Sequence, residues 1–317
     1  MILITGGLGY LGERIATSLI RQGLTVRLGS SRIDPQIPNE LSNCHIVHTD
    51  FTSQESLNLA CQGVDTIIHL AGMNASACGK NPEKALLFKG VGTQKLLLAA
   101  QLNAIKKVIY FSTVHVYSGT LNGALNEYSL PRPSHPYSIT HRLAEDLVLE
   151  ANDKTDIHGI VFRLSNAVGS PVSADADCWT LVVNDLCRQI ACSGEMNLNS
   201  NKDVQRDYVS ISYICDVLSQ VITDDSLSNA LAGRISNMSS GKSISLGDLV
   251  SLIQECSQVT LGVLPRYKFS AVDRDEQDLE PLNISSNLEG FIDLKSCSDL
   301  VTEINHLLLN CRNWFGR

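Results

Sequence analysis

Along the first half of the chain, short apolar runs alternate with stretches whose apolar positions recur every three to four residues. Met1-Ile2-Leu3-Ile4 is the first run, unbroken by polar residues, as a strand covered on both faces requires. Residues 13–22 follow, with Ile15, Ala16, Leu19 and Ile20 as a helical stripe. The same alternation predicts strands at 25–28, 45–48, 66–70, 107–111 and 160–164. It predicts helices at 53–61 (capped by Ser53), at 82–104 (opened by Pro82) and at 137–151. Residues 33–43 and 73–81 read as surface connections. Residues 118–136, with three prolines and two glycines, read as a loop on an active-site rim. Strand–helix alternation with short joins gives right-handed βαβ units and an α/β, doubly wound parallel sheet, whose ligands bind at the carboxyl ends of its strands.

Beyond residue 165 the alternation loosens into a smaller mixed C-terminal lobe. Helices are predicted at 180–191, 213–223, 245–256 and 300–311. Arg206-Asp207-Tyr208-Val209 is a polar-then-apolar stretch, Arg234-Ile235-Ser236-Asn237 returns to the main sheet, and 265–290 is irregular and charged. The expected division is a dinucleotide-binding domain at 1–165, rejoined by 207–237, and a substrate-binding lobe at 166–317.

The join between the first strand and helix carries the first chemistry. Thr5-Gly6-Gly7-Leu8-Gly9-Tyr10-Leu11-Gly12 holds glycines at both GxxGxxG and GxGxxG spacing. Such a turn needs one glycine for tightness, one for approach to a pyrophosphate and one for close helix packing, while the helix start favours phosphate. Gly6, Gly9, Tyr10, Leu11 and Gly12 are therefore candidate cofactor contacts. At the end of the second strand, where an acidic residue would hold a ribose 2′-hydroxyl, the chain has Ser30, Ser31 and Arg32. These suit a 2′-phosphate and favour NADP(H) over NAD(H), unless Arg32 is a solvated loop residue. Asp50-Phe51 either flanks an adenine or is a loop and capping pair. Leu70-Ala71-Gly72 ends the fourth strand with small residues that let a cofactor lie close.

Composition narrows the partners. A net charge of −8 without a basic run argues against nucleic acid or an anionic membrane as partner, and no apolar run approaches the ~20 residues of a membrane span. No Cys/His cluster has metal-ligand spacing, so no metal is expected. The ten cysteines form no CxxC pair and read as reduced thiols. With a first strand that starts at Met1 and leaves no signal peptide, they point to the cytoplasm. The 82–104 helix is apolar around much of its girth, through Leu96, Leu97, Leu98 and Leu102. It packs either in the core alone or also against a second copy.

Taken in order, Thr5–Gly12, Asp50-Phe51, His69-Leu70-Ala71-Gly72, Gly92-Thr93, the 112–117 strand end, Pro136-Tyr137, Arg163-Leu164-Ser165-Asn166-Ala167-Val168-Gly169, Arg206-Asp207-Tyr208-Val209 and the 237–249 stretch follow one plan. The plan resembles the extended short-chain dehydrogenase/reductases, the nucleotide-sugar epimerase/dehydratase family, over most of the chain. The resemblance implies a Rossmann lobe, a nucleotide-sugar substrate and a homodimer through the 82–104 and 137–151 helices. It implies that Asn166 and Arg206 hold the sugar nucleotide's diphosphate; read alone, these are a turn residue and a surface charge. It also implies catalysis by Thr113 and Tyr137.

A tyrosine needs a nearby cation to act as acid/base at neutral pH. The family places a lysine four residues after its tyrosine; here that position is His141, the third candidate catalytic residue. Where the family often has asparagine, three residues before Gly92-Thr93, stands Lys89. Either Lys89 or a protonated His141 then supplies the positive charge, or the catalytic set has decayed. Val114-His115 replaces the Asp-Glu pair of the family's dehydratases, which removes the acid and base for water elimination. His115 is either an epimerisation acid/base or a packed strand-end residue. The expected function is an NAD(P)-dependent 4-keto-reductase or 4-epimerase of a nucleotide-activated sugar. The alternative is a catalytically impaired dinucleotide-binding sensor or scaffold.

Overall fold

The structure, a computed structural model, describes residues 1–270, 280–292 and 299–316. The chain begins β1 (Ile2–Thr5), α1 (Tyr10–Arg21), β2 (Val26–Ser30), β3 (His45–His48), α2 (Gln54–Cys61), β4 (Thr66–His69), α3 (Ala75–Lys80), α4 (Pro82–Leu86), a π-helical turn (Leu87–Val91), α5 (Gly92–Leu102), β5 (Lys107–Thr113), β6 (Ala124–Leu125), α6 (Pro136–Lys154) and β7 (His158–Leu164). It continues β8 (Asn166–Val168), α7 (Val182–Ser193), β9 (Glu195–Leu198), β10 (Gln205–Ser210), α8 (Ile211–Thr223), α9 (Asp225–Leu231), β11 (Ile235–Met238), β12 (Ser243–Ser245), α10 (Leu246–Leu261), β13 (Arg266–Phe269), β14 (Asn283–Ile284) and α11 (Leu300–Phe315). Two compact units result: Met1–Leu121 with Glu127–Leu164 and Cys215–Asn237, and Asn122–Asn126 with Ser165–Ile214 and Met238–Arg317.

The first unit is built on a seven-stranded parallel sheet in the order β11-β7-β5-β4-β1-β2-β3. Strands β1, β4 and β5 are buried along their whole length, which explains the apolar runs at their centres, with polar residues only at their ends. At the sheet edge, β3 exposes His45 and His48. One face packs Leu3, Ile67, Val108 and Val161 against Leu97, Ala100 and Val148 of the covering helices. Because β2 lies on one side of β1 and β4 on the other, the winding reverses there and opens a crevice at their carboxyl ends. The register brings Thr5 level with Gly29 and with His69 at that crevice.

The second unit holds three small sheets. In one, β8 pairs in parallel and β12 antiparallel with the central β10. In the others, β9 pairs with β13 and β6 with β14. Helices α7, α10 and α11 share a core of Leu186, Met196, Leu249, Ile253, Ile304 and Leu307.

Three local expectations are corrected. Residues 73–81 contain α3, started by Asn74, whose side chain accepts from the Ala77 amide. The 82–104 helix is broken into α4, the π-turn and α5. The segment is apolar around much of its girth, so the phase shift that one extra residue brings leaves no mark on its apolar pattern. The 265–290 stretch holds β13 and β14 as well as residues outside the described set. Among the described residues no helix is long and apolar enough to cross a membrane, and no side-chain group could hold a metal ion.

Candidate active site

The glycine turn sits at the mouth of the crevice. Gly6 has φ +68°, and a Cβ there would lie 3.0 Å from the Ala71 amide nitrogen. A Cβ on Gly12 would collide with the Gly6 carbonyl oxygen and stand 2.8 Å from Gly7 Cα. Only hydrogen fits at either place, so the tight path of this turn requires glycine there. Helix α1 starts from Gly9, which supplies no side-chain cap. That leaves Tyr10 and Leu11 at a helix start suited to an anion. On this observation the turn fits the pyrophosphate of a dinucleotide.

The next candidates line neighbouring strand ends. Ser30 closes β2 and is buried, its hydroxyl accepting from the Arg32 amide at 3.1 Å. Ser31 and Arg32 are exposed. The Asp50 carboxylate accepts from the amide and hydroxyl of Thr52, at 2.8 and 2.7 Å, and these bonds hold its pKa below the ordinary value. The Phe51 ring is buried against His69 and Phe88, with centroids 5.6 and 4.9 Å away. It therefore offers a ligand only its backbone. Leu70 is bonded through its amide to the Thr5 carbonyl, Ala71 is buried, and Gly72 is exposed.

The catalytic candidates meet where β5 ends and α6 begins. The phenol of Tyr137, half-buried in the first turn of α6, lies near Thr113 at the end of β5. Burial pushes Tyr137 up to about 12, with the neighbouring Thr113 hydroxyl pulling the other way. One turn on, the His141 ring lies 4.5 Å from the Tyr137 ring and its Nδ1 is hydrogen-bonded to the Tyr110 hydroxyl at 2.8 Å. Burial, then the charge of Lys89, hold His141 well below its ordinary pKa. Its imidazole is therefore neutral near pH 7, and the protonated-His141 branch finds no support. His115 is exposed on a short 3-10 turn, its amide donating to the Thr113 hydroxyl at 3.2 Å.

The sequence assigned no role to Tyr110 or Glu145, and it gave His69 and Arg163 only as parts of longer motifs. His69 is locked between Thr5 at 2.8 Å and Thr93 at 3.1 Å. Glu145, two turns below Tyr137 on α6, accepts from Arg163 Nε at 3.0 Å and Nη2 at 2.7 Å and also from the Ser112 hydroxyl. This pair ties α6 to β7 and to the residue before Thr113. The Glu145 spacing on the Tyr137 face of α6 was the available signal.

Residues 2–235 match the sequence model of the NAD dependent epimerase/dehydratase family. The chain belongs to this family. Among curated relatives, GDP-6-deoxy-D-mannose reductase of Pseudomonas aeruginosa is 29% identical over 63% of this chain and 66% of its own. UDP-glucose 4-epimerase of Halalkalibacterium halodurans is 22% identical over 83% and 81%. A 3 beta-hydroxysteroid dehydrogenase/Delta 5-->4-isomerase of Mycobacterium tuberculosis is 29% identical over 48% and 42%. The matched stretch thus spans less than two thirds of the length of two of these three relatives. Among solved structures, UDP-glucuronic acid 4-epimerase of Bacillus cereus, in complex with UDP-glucuronic acid and NAD, superposes with TM-score 0.80 at 19% identity over 98% and 99% of the chains. RMD of Pseudomonas aeruginosa, complexed with NADPH, gives 0.78 at 20% identity over 98% and 99%. At such identities these likenesses establish the epimerase-family fold.

The remaining two candidates lie in the second unit of this epimerase-family chain. Asn166 opens β8 opposite Tyr208 of β10, and its side-chain amide donates to the Asp207 carbonyl at 2.8 Å. Arg206 lies two residues before Tyr208, so strand alternation puts Arg206 and Asn166 on one face of that sheet. Both are half-buried.

Proposed function

We propose that the chain is an NAD(P)-dependent reductase or epimerase acting at C4 of a nucleotide-activated sugar. The observation that carries this is the nearness of Thr113, at the carboxyl end of β5, to Tyr137 in the first turn of α6, in a family chain whose glycine turn fits a dinucleotide. Gly6, Gly9, Gly12 and the Leu70–Gly72 backbone would hold the dinucleotide, whose nicotinamide supplies hydride transfer when bound. Tyr137 exchanges a proton with the reacting sugar oxygen, and Thr113 hydrogen-bonds that oxygen. Asn166 and Arg206 hold the sugar nucleotide's diphosphate. Ser30, Ser31 and exposed Arg32, at and just after the end of β2, favour NADP(H). Exposed Leu87, Val91, Leu98, Ile139 and Leu143 on α5, α6 and the π-turn support a homodimer through those helices. Nine described cysteines, none in a disulfide, fit the cytoplasm.

One observation favours a second reading, a dinucleotide-binding sensor: Tyr137 sits high, beside a neutral imidazole rather than a lysine. The deciding experiment is turnover of a panel of GDP- and UDP-hexoses and their 4-keto forms with either dinucleotide. Tyr137→Phe should lower turnover roughly 10²- to 10⁴-fold while dinucleotide binding stays nearly unchanged. Retained turnover in that variant contradicts the assignment. Turnover of a 3β-hydroxysteroid alone overturns the sugar substrate, and dinucleotide binding without any turnover selects the sensor.

A further inference from the structure

Lys89 is 2% exposed, turned inward by the π-helical turn. Its Nζ donates to the Ala71 carbonyl at 2.9 Å and lies 5.0 Å from the centroid of the Tyr110 ring. It crowds Gly72 so closely that a Cβ on that residue would stand 2.9 Å from Nζ and 2.8 Å from Cε. Around it lie Cys78 of the α3 segment, His69 of β4, Tyr110 of β5 and His141 of α6. None of these is a carboxylate. Glu145, which acts on Tyr110, is already engaged by Arg163.

An ammonium has three donors, and among the described residues this one has a single hydrogen-bond acceptor. Its other donors reach the carboxyl end of β4, beside the reversal of strand order where this fold takes its dinucleotide. We propose that Lys89 completes the dinucleotide site, donating to acceptors of the bound dinucleotide at the Ala71-Gly72 backbone and taking up a proton as it binds. The proposal rests on the dinucleotide reading of the glycine turn. The proton comes from buffer and adds to the Nζ lone pair, with no bond of the dinucleotide broken. Before binding, burial holds Lys89 down to about 7. The phosphates and ribose hydroxyls of a dinucleotide favour the charged form. Lys89 is then the cation of a cluster in which His141 is neutral.

The test is calorimetric titration of the full chain with NADP⁺ and with NAD⁺ near pH 8, in two buffers of different ionisation enthalpy. The wild type should take up close to one proton per site. Lys89→Met should take up none and bind roughly 10- to 100-fold more weakly, as for loss of a charged hydrogen bond. Lys89→Arg, charged in every state, should bind without uptake even if the methionine variant fails to fold. Uptake unchanged in either variant overturns the proposal, as does a wild type that binds without uptake; both leave the dinucleotide reading intact. A wild type that binds neither dinucleotide overturns the two together.

Discussion

Two of the cations that the first unit buries are held in opposite ways. Arg163 is 1% exposed and meets a fully buried carboxylate, Glu145, through two hydrogen bonds, its guanidinium 4.7 Å from the Tyr117 ring centroid. Burial alone would weaken its hold on its proton, yet the Glu145 bonds and charge more than offset this. Lys89 is equally buried, over an aromatic ring too, but has a carbonyl where Arg163 has a carboxylate. The paired cation is a fixed strut. The unpaired one is a group whose charge responds to what arrives beside it.

Breaking the strut should have the largest effect. Glu145→Gln leaves Arg163 buried and unpaired and should cost about 3–5 kcal/mol of stability, read from urea unfolding. Replacing both partners with apolar residues of similar volume should recover most of that loss. A double variant as unstable as the single one would show that the pair does more than balance charge.

Lys89 should show itself in the pH dependence of stability. The unfolded lysine keeps its proton to its ordinary value near 10.4, whereas the folded one releases it near 7. Between those values the unfolded state binds more protons, so stability rises with pH, by up to about 1.4 kcal/mol per unit. Below about 7 both states are protonated and this contribution is flat. Lys89→Met should remove the slope and be no less stable than wild type near neutrality. An unaltered slope would mean that Lys89 titrates in the fold as it does unfolded. The smallest effect is expected for Tyr110→Phe, which removes the bond to His141 Nδ1 and should cost about 1 kcal/mol in the same unfolding measurement.

What could be read from sequence was local. The glycine turn, the buried strands and the Tyr137–His141 face of α6 each repeat at a spacing that one element imposes. The Thr113–Tyr137 pairing followed from strand and helix ends of the family plan. Tyr110 was invisible as a site residue because, within an apolar strand, its hydroxyl gains meaning only once α6 packs on that face. The Arg163–Glu145 bond joins residues 18 apart through the register of α6 against β7. In the second unit, β9 and β13 pair across 67 intervening residues (199 to 265); each alternates polar and apolar residues, but over only four positions, too short a run to announce a strand. For Asp50 and Phe51 the sequence left two readings open, and what it did not show is that one Asp50 carboxylate oxygen accepts from Thr52 and that the Phe51 ring packs on His69.

The π-turn has a consequence for how such a site can arise. Each residue of an α-helix advances the chain by about 100°, and a π-turn stores one residue more than the regular ladder needs. Deleting one residue within Leu87–Val91 would merge α4 and α5 into a continuous helix and rotate everything before the deletion by that angle relative to everything after it. The Lys89 ammonium is thus held against Gly72 by an angular phase, and a change of one codon in helix length is enough to set or erase it.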